Sequence, residues 1–436
     1  MQFCNSTTGM TVPIGNQYCL TFENSCFTLR NMTKQKIAIV GLGSRASMYV
    51  SAITQRYADS AELVGLCDVN PGRVALYNGR LPTPVPAFSE VDAMLDRTRA
   101  DTLIVTSKDV THDQFILNGL KRGLRVITEK PMTIDAARCR AILATEQAAA
   151  SKLRVTFNYR YASHATQIKA LLMSGAIGTI LSADFNYYLD TYHGADYFRR
   201  WHRRKENSGG LAVHKATHHF DLLNWWLAQD PVSVFATGGL AFYGPTRAER
   251  GERCLTCTHK STCEFYLNVE ANASLNELYR ANEQHDGYFR DQCVFDPEIN
   301  IEDNISANIM YSGGTRVSYS LLAFAAYEGF RVAFNGTHGR LEAFIPDNVP
   351  WETSGTDIWL TPSRKPRQIV NVEASKGGHW GGDDVMLDDI FLSERNDPYQ
   401  RMAGSHAGAM SILTGIAANE SMRTSAPVAI EALLKG

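Results

Sequence analysis

The sequence predicts an α/β protein of two domains, with a parallel sheet in the first domain and an open, mostly antiparallel sheet in a second, α+β domain. In the first part of the chain, compact apolar runs alternate with segments of helical spacing, which is typical of βαβ units. Later strands are longer and rich in aromatic residues, and the pair Gly313-Gly314 separates two of them as a hairpin turn would. The length of 436 residues, more than one hydrophobic core usually organises, also favours two domains.

The first domain is expected to span residues 34–156 and the second residues 157–436. In the first domain we predict strands at 37–40, 63–67, 103–105, 126–128 and 155–157. Helical spacing indicates helices at 89–97 and 113–122, and Gly123 stands where a helix would stop. In the second domain we predict strands at 181–189, 305–311, 316–324 and 330–335, with a cysteine-containing insertion at about 240–300. Helices are expected to cover one face of that sheet.

Composition and charge exclude several classes of protein. Hydrophobic residues at 44% and charged residues at 20% are typical of a globular protein, and a net charge of -2 provides no basic field for nucleic acid or an anionic membrane. No apolar run reaches the roughly 18 residues of a transmembrane helix. Residues 1–33 contain Cys4, Cys19 and Cys26 but no sustained apolar stretch, and Arg30 is their first basic residue. We therefore expect no secretory signal, a cytoplasmic location and reduced thiols, and we assign this leader no role.

A glycine-rich turn follows the first predicted strand. Gly41 and Gly43 begin a G-x-G-x-x-A pattern that ends at Ala46, and a helix is expected to begin near Ser44. Gly41 would permit the tight turn, Gly43 would let a pyrophosphate approach the backbone, and Ala46 would allow close helix packing. Ser44 and Arg45 of the same turn are predicted to contact the cofactor. The order of strand, turn and helix predicts a Rossmann dinucleotide-binding domain.

The second strand indicates which dinucleotide is bound. It ends at Asp68, whose carboxylate would accept both hydroxyls of the adenine ribose and would repel a 2'-phosphate, so NAD is expected rather than NADP. Asp68 lies somewhat further from Gly41 than the usual separation of about 20 residues. Arg73 lies nearby and is included among the cofactor-binding residues, which leaves some use of NADP open. The alternative is a tight turn with an exposed acid and no ligand.

A candidate catalytic lysine follows the fifth predicted strand, in the triplet Glu129-Lys130-Pro131. Ligands of open α/β sheets bind at the carboxyl ends of the strands. Lys130 at that edge could hydrogen-bond a substrate hydroxyl and stabilise developing alkoxide charge, while Pro131 would restrain the loop. The alternative is an ordinary surface charge.

Together these features resemble the family of glucose-fructose oxidoreductase, inositol dehydrogenase and rhizopine catabolism proteins, over most of residues 34–436. Besides the glycine turn and the Glu-Lys-Pro triplet, the resemblance is carried by Cys67-Asp68-x-Asn70, Thr106 with His112, Asn158-Tyr159-Arg160-Tyr161, Gly209-Gly210 and His218-His219-Phe220-Asp221. It implies sugar oxidoreductase activity and a homodimer or homotetramer formed through the open sheet.

The resemblance also implies roles for individual residues. Lys130 would be the catalytic lysine and His218 the acid/base, while Glu129 would contact the nicotinamide ribose. Other residues implied to line the cofactor site are Thr106, Asp109, His112 and, near the nicotinamide, Asn158.

One position departs from the family pattern. Many members have an aspartate four residues before the catalytic histidine, whereas this chain has His214, followed by Lys215. On a helix, His214 and His218 would share one face and could both point into the cleft, so His214 is a second catalytic candidate. The spacing of the two histidines also admits zinc, although no carboxylate ligand is evident, and we predict no catalytic metal.

The substrate is expected to be a carbohydrate. Fixed donors and aromatic faces suit sugar rings, and the residues predicted to contact substrate are Lys130, Arg160, Trp201, Lys215, His218 and, from a late glycine-bounded loop, His379. The alternative for each aromatic residue is a place in the core or in an interface. His219 and Asp221 are expected to support the helix.

A cysteine cluster in the insertion admits two interpretations. Cys254, Cys257, Cys263 and the later Cys293, with His259 between them, could hold a structural zinc ion. Free thiols are the alternative, because the spacing is not a standard zinc arrangement.

The predicted function is hydride transfer between a secondary alcohol of a sugar or polyol and NAD. One alternative is an NAD-dependent glycoside hydrolase, which would use transient oxidation, elimination, addition of water and reduction. Another is a dinucleotide-binding sensor without catalysis. All three need the same cofactor site, and both enzymes need the same lysine and histidine, so the residues leave these alternatives open.

Overall fold

The computed structural model describes residues 34–353, 355–372, 377–392 and 396–435. The leader at residues 1–33, with its three cysteines, lies outside the described residues. From Lys34 onward the chain forms one compact unit that contains two sheets.

The first sheet is parallel throughout and has the strand order β3-β2-β1-β4-β5-β6. Its strands are β1 (Gln35–Val40), β2 (Ala61–Cys67), β3 (Ala87–Phe88), β4 (Thr102–Val105), β5 (Arg125–Thr128) and β6 (Leu153–Val155). The central strand β4 is buried along its whole length because helices cover both faces, which explains its unbroken apolar run. The sixth strand ends at Val155 rather than continuing to Phe157, because a 3-10 turn follows at Asn158–Tyr161.

Five helices connect these strands. They are α1 (Ala46–Ser51), α2 (Pro71–Gly79), α3 (Val91–Thr98), α4 (His112–Lys121) and α5 (Ala136–Ala148). The first helix begins two residues later than predicted and continues as a π-helical turn at Ala52–Arg56. The side chain of Asn70 accepts hydrogen bonds from two amides in the first turn of α2 and so sets where that helix begins. Gly123 has the positive φ of +75° that is common after a helix.

The second sheet has nine strands in the order β14-β13-β12-β11-β7-β10-β9-β8-β15. They are β7 (Ile180–Asp190), β8 (Pro231–Gly239), β9 (Asn304–Tyr311), β10 (Arg316–Ala325), β11 (Glu328–Gly336), β12 (Gly339–Asn348), β13 (Asp357–Pro362), β14 (Gln368–Val370) and β15 (Val428–Ala429). All pairs are antiparallel except β7 with β10, and Gly313-Gly314 forms the turn between β9 and β10 as predicted. This confirms the predicted fold class.

Helices cover one face of the second sheet. The helices of the second domain are α6 (Ser163–Met173), α7 (Thr191–Arg199), α8 (Lys205–Ser208), α9 (Leu211–His214), α10 (Ala216–Leu227), α11 (Ala273–Leu278), α12 (Glu283–Asp286), α13 (Gly382–Phe391), α14 (Ser405–Thr424) and α15 (Ile430–Lys435). Of these, α7, α14 and α15 contact strands of the sheet directly. Helix α14 packs on β8 and on α10. Along β9 and β10 buried and exposed residues alternate, so one face of the sheet is covered and the other is exposed. No helix in the described part of the chain is long and apolar enough to cross a membrane.

The insertion lies between β8 and β9 and contains α11 and α12. Its four cysteines line one small cavity, and all six cysteines that the structure describes are free thiols. Within the described ranges, no group of three or more His, Cys, Asp or Glu side chains is arranged to hold a metal ion. The shared cavity is the observation that favours the zinc interpretation.

Candidate active site

A large cleft of about 860 Å³ lies between the carboxyl edge of the first sheet and the helices and loops of the second domain. This volume is in the range of small-molecule sites. The predicted site residues that line it are Gly41, Gly43, Ser44, Arg45, Asp68, Arg73, Thr106, Asp109, His112, Glu129, Lys130, Asn158, Trp201, His214, Lys215, His218 and His379. Ala46 and Arg160 do not line it.

The glycine turn requires glycine at its first position. Gly41 has a φ of +89°, and a Cβ atom there would lie 2.4 Å from the backbone of Ser107. Thr106 holds the same turn, because its hydroxyl donates to the carbonyl oxygen of Gly41. Ala46 is fully buried beneath the turn, where its small side chain allows the close packing that was predicted.

Two groups at the end of β2 face the turn. The Asp68 carboxylate accepts hydrogen bonds from the amides of Leu42 at 2.6 Å and Asn70 at 2.8 Å. These bonds tie the carboxylate to the mouth of the turn, where an adenine ribose would lie. The guanidinium of Arg73 lies 3.7 Å from the same carboxylate and 2.7 Å from Asp286 of the insertion.

His112 connects two loops at the carboxyl edge of the sheet. Its Nδ1 atom lies 2.7 Å from the carbonyl oxygen of Pro131, and its Nε2 atom lies 3.1 Å from the carbonyl oxygen of Ser107. The peptide between Lys130 and Pro131 is cis. The ring of His112 thereby holds the loop that carries Lys130 against the loop that follows β4.

Asp383, at the start of α13, joins three predicted site residues. It receives hydrogen bonds from Arg45 at 3.0 Å, from Asn158 at 2.7 Å and from His379 at 2.8 Å. Although burial opposes ionisation, the hydrogen bond from His379 and the charge of Arg45 hold the pKa of Asp383 below its usual value. Arg45 also donates to Glu129 at 2.7 Å, so this network spans both domains.

Lys130 projects into the cleft and donates to the carbonyl oxygen of His214 at 3.3 Å. Burial lowers the pKa of its ammonium to about 8. The charge of Lys215 also lowers this pKa, whereas the charge of Asp109 raises it. Near neutral pH the side chain is therefore a proton donor whose pKa is close to the working range of an acid/base group.

His218 is buried against an aromatic ring. It stacks on Tyr159 with a ring-centroid distance of 4.1 Å, and its Nδ1 atom makes no hydrogen bond within the described residues. Burial, assisted by the charges of Lys130 and Lys215, lowers the pKa of His218 well below its usual value, so the imidazole is neutral at pH 7. A neutral ring of this kind can accept a proton.

Lys215 is enclosed by tyrosines. Its Nζ atom donates to the hydroxyl of Tyr159 at 3.3 Å and lies 4.8 Å from the ring centroid of Tyr187. The position corresponds to a break between α9 and α10, so the single helix predicted through His214 and His218 is interrupted at Lys215. Both histidines still line the cleft.

His214 has a carboxylate partner from the first domain. Its Nδ1 atom lies 2.5 Å from Oδ2 of Asp109, and both side chains are buried. Burial raises the pKa of Asp109, although the charge of Lys130 acts to lower it. Burial lowers the pKa of His214, and the charge of Lys130 lowers it further. A carboxylate of the first domain therefore lies beside His214, the residue that stands four positions before His218.

One predicted substrate contact is wrong. Arg160 forms a buried, two-point ion pair with Asp221 at 2.6 and 2.7 Å and does not line the cleft. A guanidinium in the interior needs a carboxylate, and the helix that carries Asp221 provides one. Asp221 supports the structure as predicted, and so does His219, which bonds to Tyr319 at 2.9 Å. Trp201 lines the cleft and stacks on His202.

The sequence reasoning missed several residues. Asp383 follows His379 by four residues in the same glycine-bounded loop, and this spacing is the signal in the sequence that could indicate their contact. Tyr279 and Asp286 of the insertion also line the cleft, and Tyr279 accepts a hydrogen bond from the amide of Ser44 at 3.2 Å. No motif or periodicity marks either residue.

Two family models match this chain. Residues 35–157 match the oxidoreductase family's NAD-binding Rossmann fold, and residues 169–430 match the C-terminal alpha/beta domain of the oxidoreductase family. The chain is 39% identical over 425 residues to a Bacillus subtilis protein called "Putative oxidoreductase YteT", covering 92% of this chain and 99% of that one. It is 26% identical over 205 residues to inositol 2-dehydrogenase of Rhizobium meliloti, covering 47% of this chain and 58% of that enzyme.

Solved structures show the same fold. Aldose-aldose oxidoreductase from Caulobacter crescentus superposes with a TM-score of 0.62 at 17% identity, covering 91% of this chain and 100% of that one. The WlbA dehydrogenase from Bordetella pertussis, solved with NADH and UDP-GlcNAcA, superposes with a TM-score of 0.63 at 17% identity, covering 91% of this chain and 99% of that one. With both family models matched along the chain, this protein belongs to the oxidoreductase family of glucose-fructose oxidoreductase, inositol dehydrogenase and rhizopine catabolism proteins.

Proposed function

We propose that the protein is an NAD-dependent oxidoreductase that acts on a secondary alcohol of a sugar or polyol. The observation that carries the proposal is the meeting of Lys130 and His218 in the cleft that also contains the glycine turn. A lysine whose pKa is lowered to about 8 and a neutral, buried histidine are suited to move a proton at one hydroxyl group. The similarity to inositol 2-dehydrogenase supports the choice of substrate, and the similar WlbA dehydrogenase, solved with NADH, supports the choice of cofactor.

The residues of the first domain fit a dinucleotide. The close approach of Gly41 to Ser107 leaves no room for a side chain in the turn, and Asp68 lies where ribose hydroxyls would bind. Glu129, held by Arg45 and Tyr49, would face the ribose beside the nicotinamide. When bound, the nicotinamide accepts a hydride from the alcohol carbon or returns it.

The protein supplies orientation and proton transfer. Lys130 would donate a hydrogen bond to the reacting oxygen and stabilise it as charge develops. His218 would accept the hydroxyl proton during oxidation and return it during reduction. The pair of His214 and Asp109 would hold the neighbouring wall of the cleft, since Lys130 donates to the His214 carbonyl oxygen. Trp201, Lys215 and His379 would contact the remaining hydroxyls and the apolar face of the sugar.

An assay with two simultaneous readouts tests this function. Purified protein is incubated with NAD and a panel of free sugars, polyols and aryl glycosides, while NADH absorbance and aglycone release are followed together. We expect sugar-dependent NADH formation, lost in Lys130→Ala and kept in Lys121→Ala, which removes an exposed lysine at the end of α4. Aglycone release that requires NAD without accumulating NADH would instead establish a glycoside hydrolase. NAD binding with neither NADH formation nor aglycone release would establish a dinucleotide-binding sensor.

We also propose a homodimer or homotetramer assembled through the open face of the second sheet. That face exposes apolar side chains on the paired strands β8 and β9, namely Phe235 and Met310. Sedimentation equilibrium of the wild type and of Met310→Lys would test the assembly, which should dissociate in the variant.

A further inference from the structure

We infer that Asp286, a residue of the insertion, favours NAD over NADP because its ion pair with Arg73 keeps that guanidinium from binding a 2'-phosphate. This inference rests on the proposed function, because it concerns the dinucleotide of the same cleft. It assigns to the insertion a part of the cofactor site that the glycine turn and Asp68 do not provide.

Arg73 is the arginine beside the predicted adenine ribose, and its charge is already compensated. One of its terminal nitrogens lies 2.7 Å from Asp286, another lies 3.7 Å from Asp68, and the side chain is 9% exposed. The guanidinium lies 5.6 Å from the ring centroid of Tyr279, and its Nε atom is buried and has no hydrogen-bond partner among the described residues. Because Nε is buried, the donors of Arg73 that could face a ligand are its terminal nitrogens, which lie against the two carboxylates.

The insertion is held firmly at this place. The side-chain amide of Asn70, which caps α2, donates to the carbonyl oxygen of Asn282 at 2.9 Å. The Tyr279 hydroxyl accepts from the amide of Ser44 on the glycine turn. These contacts place Asp286 over the end of β2, where the 2'-position of a bound dinucleotide would lie.

The charges explain the selection. A 2'-phosphate carries about -1.5 to -2 near neutral pH and binds best to an arginine that is free to donate two hydrogen bonds. Here one guanidinium faces two carboxylates, Asp68 and Asp286, so these three side chains carry a formal net charge of -1. Lys108, 5.5 Å from the ring centroid of Tyr288 on the same wall, brings the sum only to zero. A 2'-phosphate therefore finds no net positive charge at this position, whereas NAD, which has a hydroxyl there, needs none.

The test measures binding rather than turnover. NAD and NADP are titrated separately into wild type and Asp286→Asn by isothermal calorimetry, with circular dichroism to verify the fold. We expect Asp286→Asn to bind NADP at least roughly tenfold more tightly than wild type does, with NAD affinity changed by less than about threefold. Glu277→Gln is the matched control, because it removes the same charge from an exposed residue of the insertion that pairs with Arg80, and it should alter neither affinity.

A second variant keeps the inference falsifiable. Adding Arg73→Gln to Asp286→Asn should abolish the gain in NADP affinity, because the released guanidinium is what would bind the phosphate. A folded Asp286→Asn variant with unchanged NADP affinity overturns the inference, and so does a wild type that prefers NADP. A protein that binds neither dinucleotide overturns the inference together with the proposed function. Tighter binding of NAD than of NADP, together with no oxidation of any alcohol, would overturn only the proposed function.

Discussion

Asp109 and His214, 105 residues apart in the chain, lie 2.5 Å from each other in the wall of the cleft. The carboxylate comes from a loop of the first domain and the imidazole from a short helix of the second. A carboxylate that bonds to Nδ1 fixes the orientation of an imidazole and the tautomer that it adopts. In this protein the two domains are therefore joined by a polar pair beside Lys130.

This pair leads to a prediction about catalysis. Asp109→Asn keeps the size of the side chain but removes its charge, so His214 and the adjacent Lys130 lose their orientation. We expect kcat to fall by about 10- to 100-fold with little change in KM, because the loss concerns positioning of reacting groups. Asp113→Asn, on α4, should retain the wild-type kcat. An unchanged kcat in Asp109→Asn would show that the pair is only structural.

His218 is predicted to act in its neutral form. Replacement by Gln should lower kcat/KM by about 100- to 10,000-fold, the range for loss of a general base. Because its pKa is lowered, the base form persists as the pH falls through 6.5, the value for an ordinary histidine, so kcat/KM should stay flat across that value. A half-loss of kcat/KM near 6.5 would contradict this assignment. His406→Gln, at an exposed histidine that pairs with Asp230, serves as the control.

Lys130 is expected to reduce stability while supporting activity. Because its pKa is about 8 in the folded protein and higher in the unfolded chain, the unfolded state binds more protons between these values, so stability rises with pH across that interval. Lys130→Met should therefore be inactive, should have a higher Tm than wild type at pH 7, and should show a smaller rise in Tm from pH 8 to 10. A lower Tm at pH 7 would count against a buried, destabilising ammonium.

Asp383 is predicted to hold the two domains in the geometry of the site. Asp383→Asn removes the charged partner of His379 and one of the two charged partners of Arg45, and it should reduce the free energy of unfolding by about 2 kcal/mol, as for loss of hydrogen bonds to a charged group. Since the pKa of Asp383 is lowered, its contribution is present above the normal aspartate pKa and is lost as the pH falls through its folded-state pKa. Urea unfolding at pH 7 measures the change, and Asp384→Asn, whose side chain is 61% exposed, should leave the free energy nearly unchanged.

The glycine turn allows a direct test of backbone strain. Gly41→Ala places a Cβ atom 2.4 Å from the Ser107 backbone at a φ of +89° and should destabilise the protein by about 2 to 4 kcal/mol and weaken NAD binding. Gly79→Ala, where a Cβ would have open space, should be neutral or slightly stabilising. Thermal unfolding and NAD titration of both variants give the comparison. Equal behaviour of the two variants would contradict the assigned role of Gly41.

The sequence determined the fold of the first domain and the position of its cofactor turn. The buried strands have unbroken apolar runs, and Gly41, Asp68 and Lys130 each follow a strand of one parallel sheet, whose carboxyl ends meet at one edge. These are local patterns, because the spacing within a strand or turn sets backbone conformation over a few residues. The same patterns favoured two domains and a family whose models match the chain.

Only the tertiary structure decided which side chains meet. Arg160 has the charge expected of a substrate contact, yet Asp221 engages it in the core. Asp286 reaches Arg73 from an insertion with no motif, and Asp109 reaches His214 from the other domain. A charged side chain carries no periodic signal for its partner. The partner is selected by packing between elements far apart in the chain, where an unpaired buried charge would cost several kcal/mol.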